Sequence, residues 1–457
     1  MNFRQLAFFV GPLLAILIYV LMVQYHWSSA ASITAATTVL CAVWWIFEPI
    51  PIPITSLIPI GLFPLMGVLD KNMVGQAYGS PLILLLLGGF ILSQALEYSG
   101  AHRRVAFYLV RLIGGSSPRR VVFGFMVAAA ALSMWISNTA TTLMLLPVAL
   151  AVAEKVKEPK FVLILLLGIA YAASIGGVGT PIGTPPNVIF MQVYATNTGI
   201  EPSFLTWMGW GGPMVLCFIP IVGWWLTRHL HSKEHVELPV IGAWSVHEVR
   251  VMLVFVVTAL LWVTRKEPFG GWSGMFGLTS ANDASVALMA VVALFMIPDG
   301  KGGKLLDWNT ANKIPWGVLL LFAGGIVLAK AFIATGISQA IGESLSSVAR
   351  LNIVLVTVVI CLVVTFLTEV TSDTATTTLL MPILAATAVA SNIEPMLLMI
   401  PAAMSASCAF MLPVATAPNA VVFSSGKVDI QQMARMGIVL NLFGVVVISS
   451  VCLLLVG

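Results

Sequence analysis

Apolar residues run along this chain in blocks of about the length that crosses a bilayer, separated by short charged segments. The blocks predict spanning helices near 5–24, 31–48, 51–68, 79–98, 161–193, 205–227, 249–264, 284–297, 315–334, 396–424 and 435–456. Two further apolar regions, 120–152 and 351–390, depart from that pattern. Each holds a polar triplet near its middle, Ser137-Asn138-Thr139 in one and Ser372-Asp373-Thr374 in the other. At about 1.5 Å per residue, an apolar arm of about fifteen residues reaches about 22 Å into a hydrocarbon core of about 30 Å. Both regions therefore read as re-entrant hairpins that carry their triplets to mid-depth, where an unsatisfied polar group is costly.

Composition fixes the class. With 59% hydrophobic residues and 9% charged ones, the chain is too apolar for a soluble domain and reads as an all-α polytopic membrane protein. Its first apolar run, Leu6 to Val23, is longer than a secretory leader's core and reads as a retained first helix. The formal net charge of +4 is explained by topology, and no nucleic-acid partner is implied. With eleven spans, two hairpins and a cytoplasmic N-terminus, the cytoplasmic face receives all 22 basic residues except Lys71, Arg265, Lys266, Lys330 and Arg350. Lys155, Lys157, Lys160 and Lys233 are among those it receives. A full crossing by either hairpin would scramble that bias. The first hairpin thus enters from the cytoplasm and the second from outside, where the C-terminus also lies.

The chain repeats itself. Gly88-Gly89 return as Gly324-Gly325, the first triplet as the second, and Pro186-Asn187 as Pro418-Asn419, at a spacing of about 235 residues. An odd number of crossings separates like elements, so the copies are inverted, as in secondary transporters. The organisation expected is 1–68 as N-terminal scaffold helices, 69–235 as the first repeat and 236–457 as the second. After each hairpin an apolar run is interrupted, by S-I-G-G-V-G-T-P-I-G-T-P-P-N from Ser174 and by S-C-A-F-M-L-P-V-A-T-A-P-N from Ser407. Proline and glycine there predict unwound helix, tolerated at membrane depth only where it is buried or lines a cavity. Half-helix N-termini and Ser, Thr and Asn donors suit an anion, while freed carbonyls suit a hard cation such as sodium. An anion entering against a negative-inside potential needs cations with it or another anion in exchange.

With the paired triplets and the G-T-P-P-N and A-T-A-P-N breaks in view, the chain resembles the divalent anion/sodium symporter family over essentially its whole length. The resemblance implies a sodium-coupled carrier of C4-dicarboxylates (succinate, fumarate, malate), working as an elevator-type homodimer in a bacterial inner membrane and contacting its lipids. It places Ser137, Asn138, Thr139, Thr184, Ser372, Asp373, Thr374 and Thr416 around the substrate. One sodium falls among Ser133, Ser137, Asn138 and Gly183, and a second near Thr368, Thr371, Asp373 and Ala415. A sodium-independent dicarboxylate exchanger and a citrate or sulfate carrier are the alternatives on the same fold. An enzyme is not expected, because neither Ser137 nor Ser372 has a His or Lys near it in sequence to serve as base.

Two positions depart from the family pattern: Asp373 stands where Asn is usual, and Ala417 replaces the first proline of T-P-P-N. An ionised carboxylate facing a dianion would repel it, so Asp373 is expected to strengthen the second cation site or confer proton sensitivity. Glu369 is expected to secure the hairpin tip by hydrogen bonds. Glu97 and Lys330 are expected to reach interfacial water. Trp44-Trp45 and Trp224-Trp225 read as interfacial belts, and the His229, His231 and His235 cluster as a solvated segment. The threonines after each triplet read as helix-packing residues that support the site.

Overall fold

The computed structural model describes residues 3–114, 117–154, 156, 158, 160–230, 242–267, 270–344 and 352–456. Lys155, Lys157, His231, Lys233, His235 and Arg350 lie outside the described residues. Among the described residues the structure is helical, with only an isolated bridge between Pro298 and Lys304.

The first half opens with α1 (Phe3–Gln24) and α2 (Ser29–Phe47), the latter capped by the Ser28 hydroxyl and ended at Glu48, whose φ is 46°. Pro51 then starts α3 (Ile52–Leu65). After α4 (Lys71–Tyr78) comes α5 (Pro81–Ser99), begun by Pro81 in its first turn and stopped by Gly100 at φ 81°. The amphipathic α6 (Ala101–Gly114) leads to α7 (Pro118–Ser133) and α8 (Asn138–Ala153), which flank the first triplet. The first broken helix is α9 (Phe161–Gly177) and α10 (Pro185–Thr198), followed by α11 (Phe204–Thr227).

The second half runs α12 (Val246–Val263), α13 (Gly271–Met275), α14 (Asp283–Met296), α15 (Trp308–Ala311), α16 (Trp316–Ala334) and α17 (Ile337–Ser344). Then α18 (Ile353–Thr368) and α19 (Asp373–Ala390) flank the second triplet. The second broken helix is α20 (Met396–Ala406) and α21 (Ala417–Ser424), and α22 (Ile430–Leu455) closes the fold.

The halves match element by element, and the match reaches further toward the N-terminus than residue 69, because α3 stands to α16 as α14 stands to α5. A methyl group at Gly88 would meet the Ala287 Cβ of α14 at 2.5 Å, and one at Gly324 would meet the Ser56 carbonyl of α3 at 2.6 Å. Each half thus seats its glycine pair on a helix of the other. Close backbone approach there cross-braces the molecule.

Eight helices among the described residues are long and apolar enough to cross a membrane. Seven coincide with expected spans, and the eighth is α19, which the sequence assigned to a hairpin arm. That arm has 18 residues, not the expected fifteen or so, because Asp373 and Thr374 are already helical. Of the expected spans, 51–68 and 284–297 form helices of 14 residues, and 161–193 and 396–424 are each broken in two. Trp45 is no belt residue: it is fully buried, and its indole N–H donates to Ser56 Oγ at 3.0 Å. Lys330 turns back to donate to the Met73 carbonyl, and Glu97 accepts from Gln94.

Two buried ion pairs brace this framework. Arg104 of α6 meets Glu248 of α12 at 2.5 Å. Arg265 meets Asp283 at the start of α14 at 2.5 Å, and the same carboxylate accepts the Phe204 amide that begins α11.

Candidate functional site

At the first tip, Ser137 caps α8 by accepting the Ala140 amide at 3.4 Å. The Asn138 side chain folds back so that its Oδ1 accepts the Ser133 hydroxyl. It lies against Gly177, where a Cβ would come within 2.6 Å of Asn138 Oδ1, so glycine is what admits it. Beyond Gly177 the chain unwinds until Pro185. Asn187 spans this gap, its Nδ2 donating to the carbonyls of Gly177 at 2.9 Å and Thr180 at 2.7 Å. Thr180 Oγ1 donates to the Met134 carbonyl and Trp207 Nε1 to the Val178 carbonyl, the latter at 2.8 Å. These are the freed carbonyls that buried backbone must satisfy.

The second tip follows the same plan. Asn419 Nδ2 donates to the carbonyls of Ala409 and Leu412, both at 3.1 Å, as Asn187 does across the first break. The amides, however, are held differently. Glu369 Oε1 accepts the N–H of Phe410 at 2.8 Å and of Met411 at 2.9 Å, and Oε2 accepts that of Leu412 at 3.0 Å. Asn441 Nδ2 donates to the same carboxylate at 2.7 Å. Glu369 is buried and does bind by hydrogen bonds, but it secures the unwound strand of the neighbouring helix rather than its own tip. Asp373 Oδ1 accepts the Thr374 amide at 2.6 Å and the Thr374 hydroxyl at 2.9 Å.

Both tips and both breaks line one cavity of about 380 Å³. Of the residues expected around a substrate, Ser137, Asn138, Thr139, Thr184, Ser372, Asp373 and Thr416 line it, and Thr374 does not. Thr374 is buried behind Asp373. Of the expected cation ligands, Ser137, Asn138, Gly183, Asp373 and Ala415 reach the cavity wall. Ser133, Thr368 and Thr371 stand one layer back: Ser133 on Asn138, Thr368 on the Ala406 carbonyl at 3.1 Å, and Thr371 on Thr376 at 2.6 Å. The threonines that follow each triplet turn into the fold, Thr142 bonding to the Asn138 carbonyl and Thr377 to that of Asp373.

Sequence reasoning overlooked Ser174 and Ser407, which also line the cavity. Ser407 Oγ donates to Thr184 Oγ1 at 3.5 Å and so joins the two breaks. The signal was available, since these serines open the two interrupted segments. Ser93, Phe90 and Trp135 on the first half, with Pro315 and Val318 on the second, complete the wall with apolar contact. Their place on helices distant in sequence left no local trace.

The chain matches the family described as the sodium:sulfate symporter transmembrane region over residues 5–455. It is 39% identical to the sodium-dependent dicarboxylate transporter SdcS of Staphylococcus saprophyticus, the alignment covering 98% of this chain and 90% of that one. It is equally 39% identical to SdcS of Staphylococcus aureus, over 97% of this chain and 89% of the relative. Among solved structures, the YdaH transporter of Alcanivorax borkumensis superimposes with a TM-score of 0.58 at 14% identity, covering 85% of this chain and 88% of that one. MtrF of Neisseria gonorrhoeae superimposes with a TM-score of 0.58 at 13% identity, covering 86% and 84%. These two likenesses speak to the fold alone. The full-length family match and the near-complete alignment to SdcS show that the chain belongs to the sodium:sulfate symporter family of membrane transporters.

Proposed function

We propose that this protein carries C4-dicarboxylates such as succinate, fumarate and malate into the cell together with sodium. The observation that carries the reading is the single cavity walled by both triplets and both helix breaks, with no Lys, Arg or His among its described lining residues. A dianion there is met by hydroxyls, amides and helix N-termini, which supply partial positive charge but no full one. The balance comes from cations that travel with it, held by the side-chain oxygens and freed carbonyls of the same elements. The likeness to SdcS supports sodium as that cation and a dicarboxylate as the solute.

In this reading the two tips are re-entrant hairpins, and they move with the broken helices as one body against a scaffold that includes α3, α5, α14 and α16. The homologous halves lie inverted in a bacterial inner membrane, with the N-terminus cytoplasmic and the C-terminus outside, and two protomers pair through their scaffolds. Uptake of labelled succinate into empty proteoliposomes, with and without an inward sodium gradient, tests it. Uptake that requires the sodium gradient is expected. Uptake only into dicarboxylate-loaded vesicles, indifferent to sodium, would instead make the protein an exchanger, and competition by sulfate or citrate in place of succinate would reassign the solute.

A further inference from the structure

The two halves of the cavity differ in one charge. Asp373 is the one ionisable side chain among the described residues that line it. Its counterpart Asn138 is neutral and has its oxygen capped by the Ser133 hydroxyl. The residue equivalent to Ser133 in the second half, Thr368, donates to the Ala406 carbonyl at 3.1 Å instead and leaves the Asp373 carboxylate uncapped. Asp373 Oδ1 is occupied by the amide and hydroxyl of Thr374, at 2.6 and 2.9 Å, whereas Oδ2 receives no donor among the described residues. The carboxylate is half-buried, and no cationic side chain lines the cavity to balance it. A half-buried carboxylate oxygen beside an anion site needs a positive partner.

We propose that Asp373 supplies a full negative charge to the second cation position, so that this position is fixed by the protein itself and fills with sodium whether or not a dicarboxylate is present. Ala415, whose residue lies on the same cavity wall, and the hydroxyl-rich tip supply the remaining oxygens. With Asn in this place the cation would depend on neutral dipoles and on the charge of the arriving dianion. With Asp the dianion is not required. The proposal rests on the sodium-coupled reading above.

The test is thermal unfolding of the solubilised full chain, titrated with sodium chloride against choline chloride in the absence of any dicarboxylate, for wild type and for Asp373→Asn. The wild type is expected to be stabilised by sodium alone. In the variant the sodium midpoint is expected to rise about tenfold or more, within what a unit charge a few ångströms away contributes at a half-buried site. Succinate affinity at saturating sodium is expected to move much less. An Asp373→Ser variant, which keeps a helix-start residue at this place, repeats the measurement should the Asn variant misfold. An unmoved sodium midpoint in either folded variant overturns the proposal while leaving sodium coupling intact. A wild type that succinate stabilises and sodium does not removes the coupled reading itself. Should the variant instead bind succinate much more tightly, or lose selectivity for an amino-dicarboxylate such as aspartate, with its sodium midpoint unchanged, the charge faces the solute and the proposal fails.

Discussion

At the first break the unwound strand from Val178 to Thr184 is tied down by neutral groups, the Asn187 amide, the Thr180 hydroxyl and the Trp207 indole. At the second, the strand from Ser407 to Thr416 has its amides gathered onto the buried carboxylate of Glu369, with Asn419 alone repeating the first half's device. The residue equivalent to Glu369 in the first half is Met134. One backbone shape is therefore reached by two routes. The first spends glycines, Gly176, Gly177, Gly179 and Gly183, to let strands approach closely, while the second spends a charge to collect N–H groups. What the repeat preserves is the place where backbone groups are left without partners, and the partners themselves were free to diverge.

The sharpest way to break this comparison is at Glu369. Glu369→Gln keeps the shape but turns one acceptor oxygen into an N–H₂ group that faces donors it cannot satisfy. With three backbone amides and Asn441 dependent on that carboxylate, the expected cost is about 3–5 kcal/mol of stability. The thermal unfolding midpoint should fall well below wild type and succinate uptake should be lost. Met134→Leu at the equivalent place swaps apolar groups of similar volume, and should cost less than about 1.5 kcal/mol. Similar losses in the two variants would mean that the halves are held alike after all.

Glycine at the crossing of the last helix of each half tests the part that is shared. A Cβ at Gly211 of α11 would collide with the Val178 carbonyl, and one at Gly437 of α22 with the Phe410 carbonyl. In both halves a long helix leans on the unwound strand through the same gap. Backbone cannot step aside as a flexible side chain can, so Gly211→Ala and Gly437→Ala should each cost about 1–3 kcal/mol and lower uptake together. Unequal losses would show that the unwound strand yields more easily in one half.

How much of this was legible in the sequence follows from the range over which each device acts. The breaks declared themselves through Pro185, Pro186 and the clustered glycines, because those residues dictate backbone locally. The triplets stood out because Ser137 to Thr139 and Ser372 to Thr374 are polar within apolar surroundings. The far ends of the contacts carried no such mark. Glu369 was read as an anchor, yet its partners lie in Phe410, Met411, Leu412 and Asn441, which nothing in its own neighbourhood names. Trp45 was misplaced for the same reason: an interfacial tryptophan and one whose indole reaches Ser56 inside the fold look alike in sequence. The site's donors were largely visible, and its apolar wall of Phe90, Trp135 and Val318 was not.

A lesser loss is expected where the first half uses an indole. Trp207 Nε1 donates to the Val178 carbonyl at 2.8 Å, and the ring itself is fully buried. Trp207→Phe leaves that carbonyl without its donor and part of the ring volume empty, at about 1–3 kcal/mol, read as a lowered unfolding midpoint. No donor is lost by Met433→Leu at the equivalent place in α22, so that change should be nearly silent.

The smallest effect separates holding the break from holding the solute. Thr184 and Thr416 occupy equivalent positions just before the half-helices, both with extended backbone and both on the cavity wall. Only Thr416 caps its helix, its Oγ1 accepting the Asn419 amide at 3.4 Å, while Thr184 makes no such cap. The difference follows from the sequence, since the first helix opens on two prolines that have no N–H to offer, and the second has Ala417 in place of the first. Thr416→Ala should therefore cost about 0.5–1 kcal/mol of stability as well as succinate affinity. For Thr184→Ala the affinity should fall with the unfolding midpoint almost unmoved. If both hydroxyls serve the solute alone, the two variants will lose affinity and keep the same midpoint, and the asymmetry between the halves will stop at the charged residues.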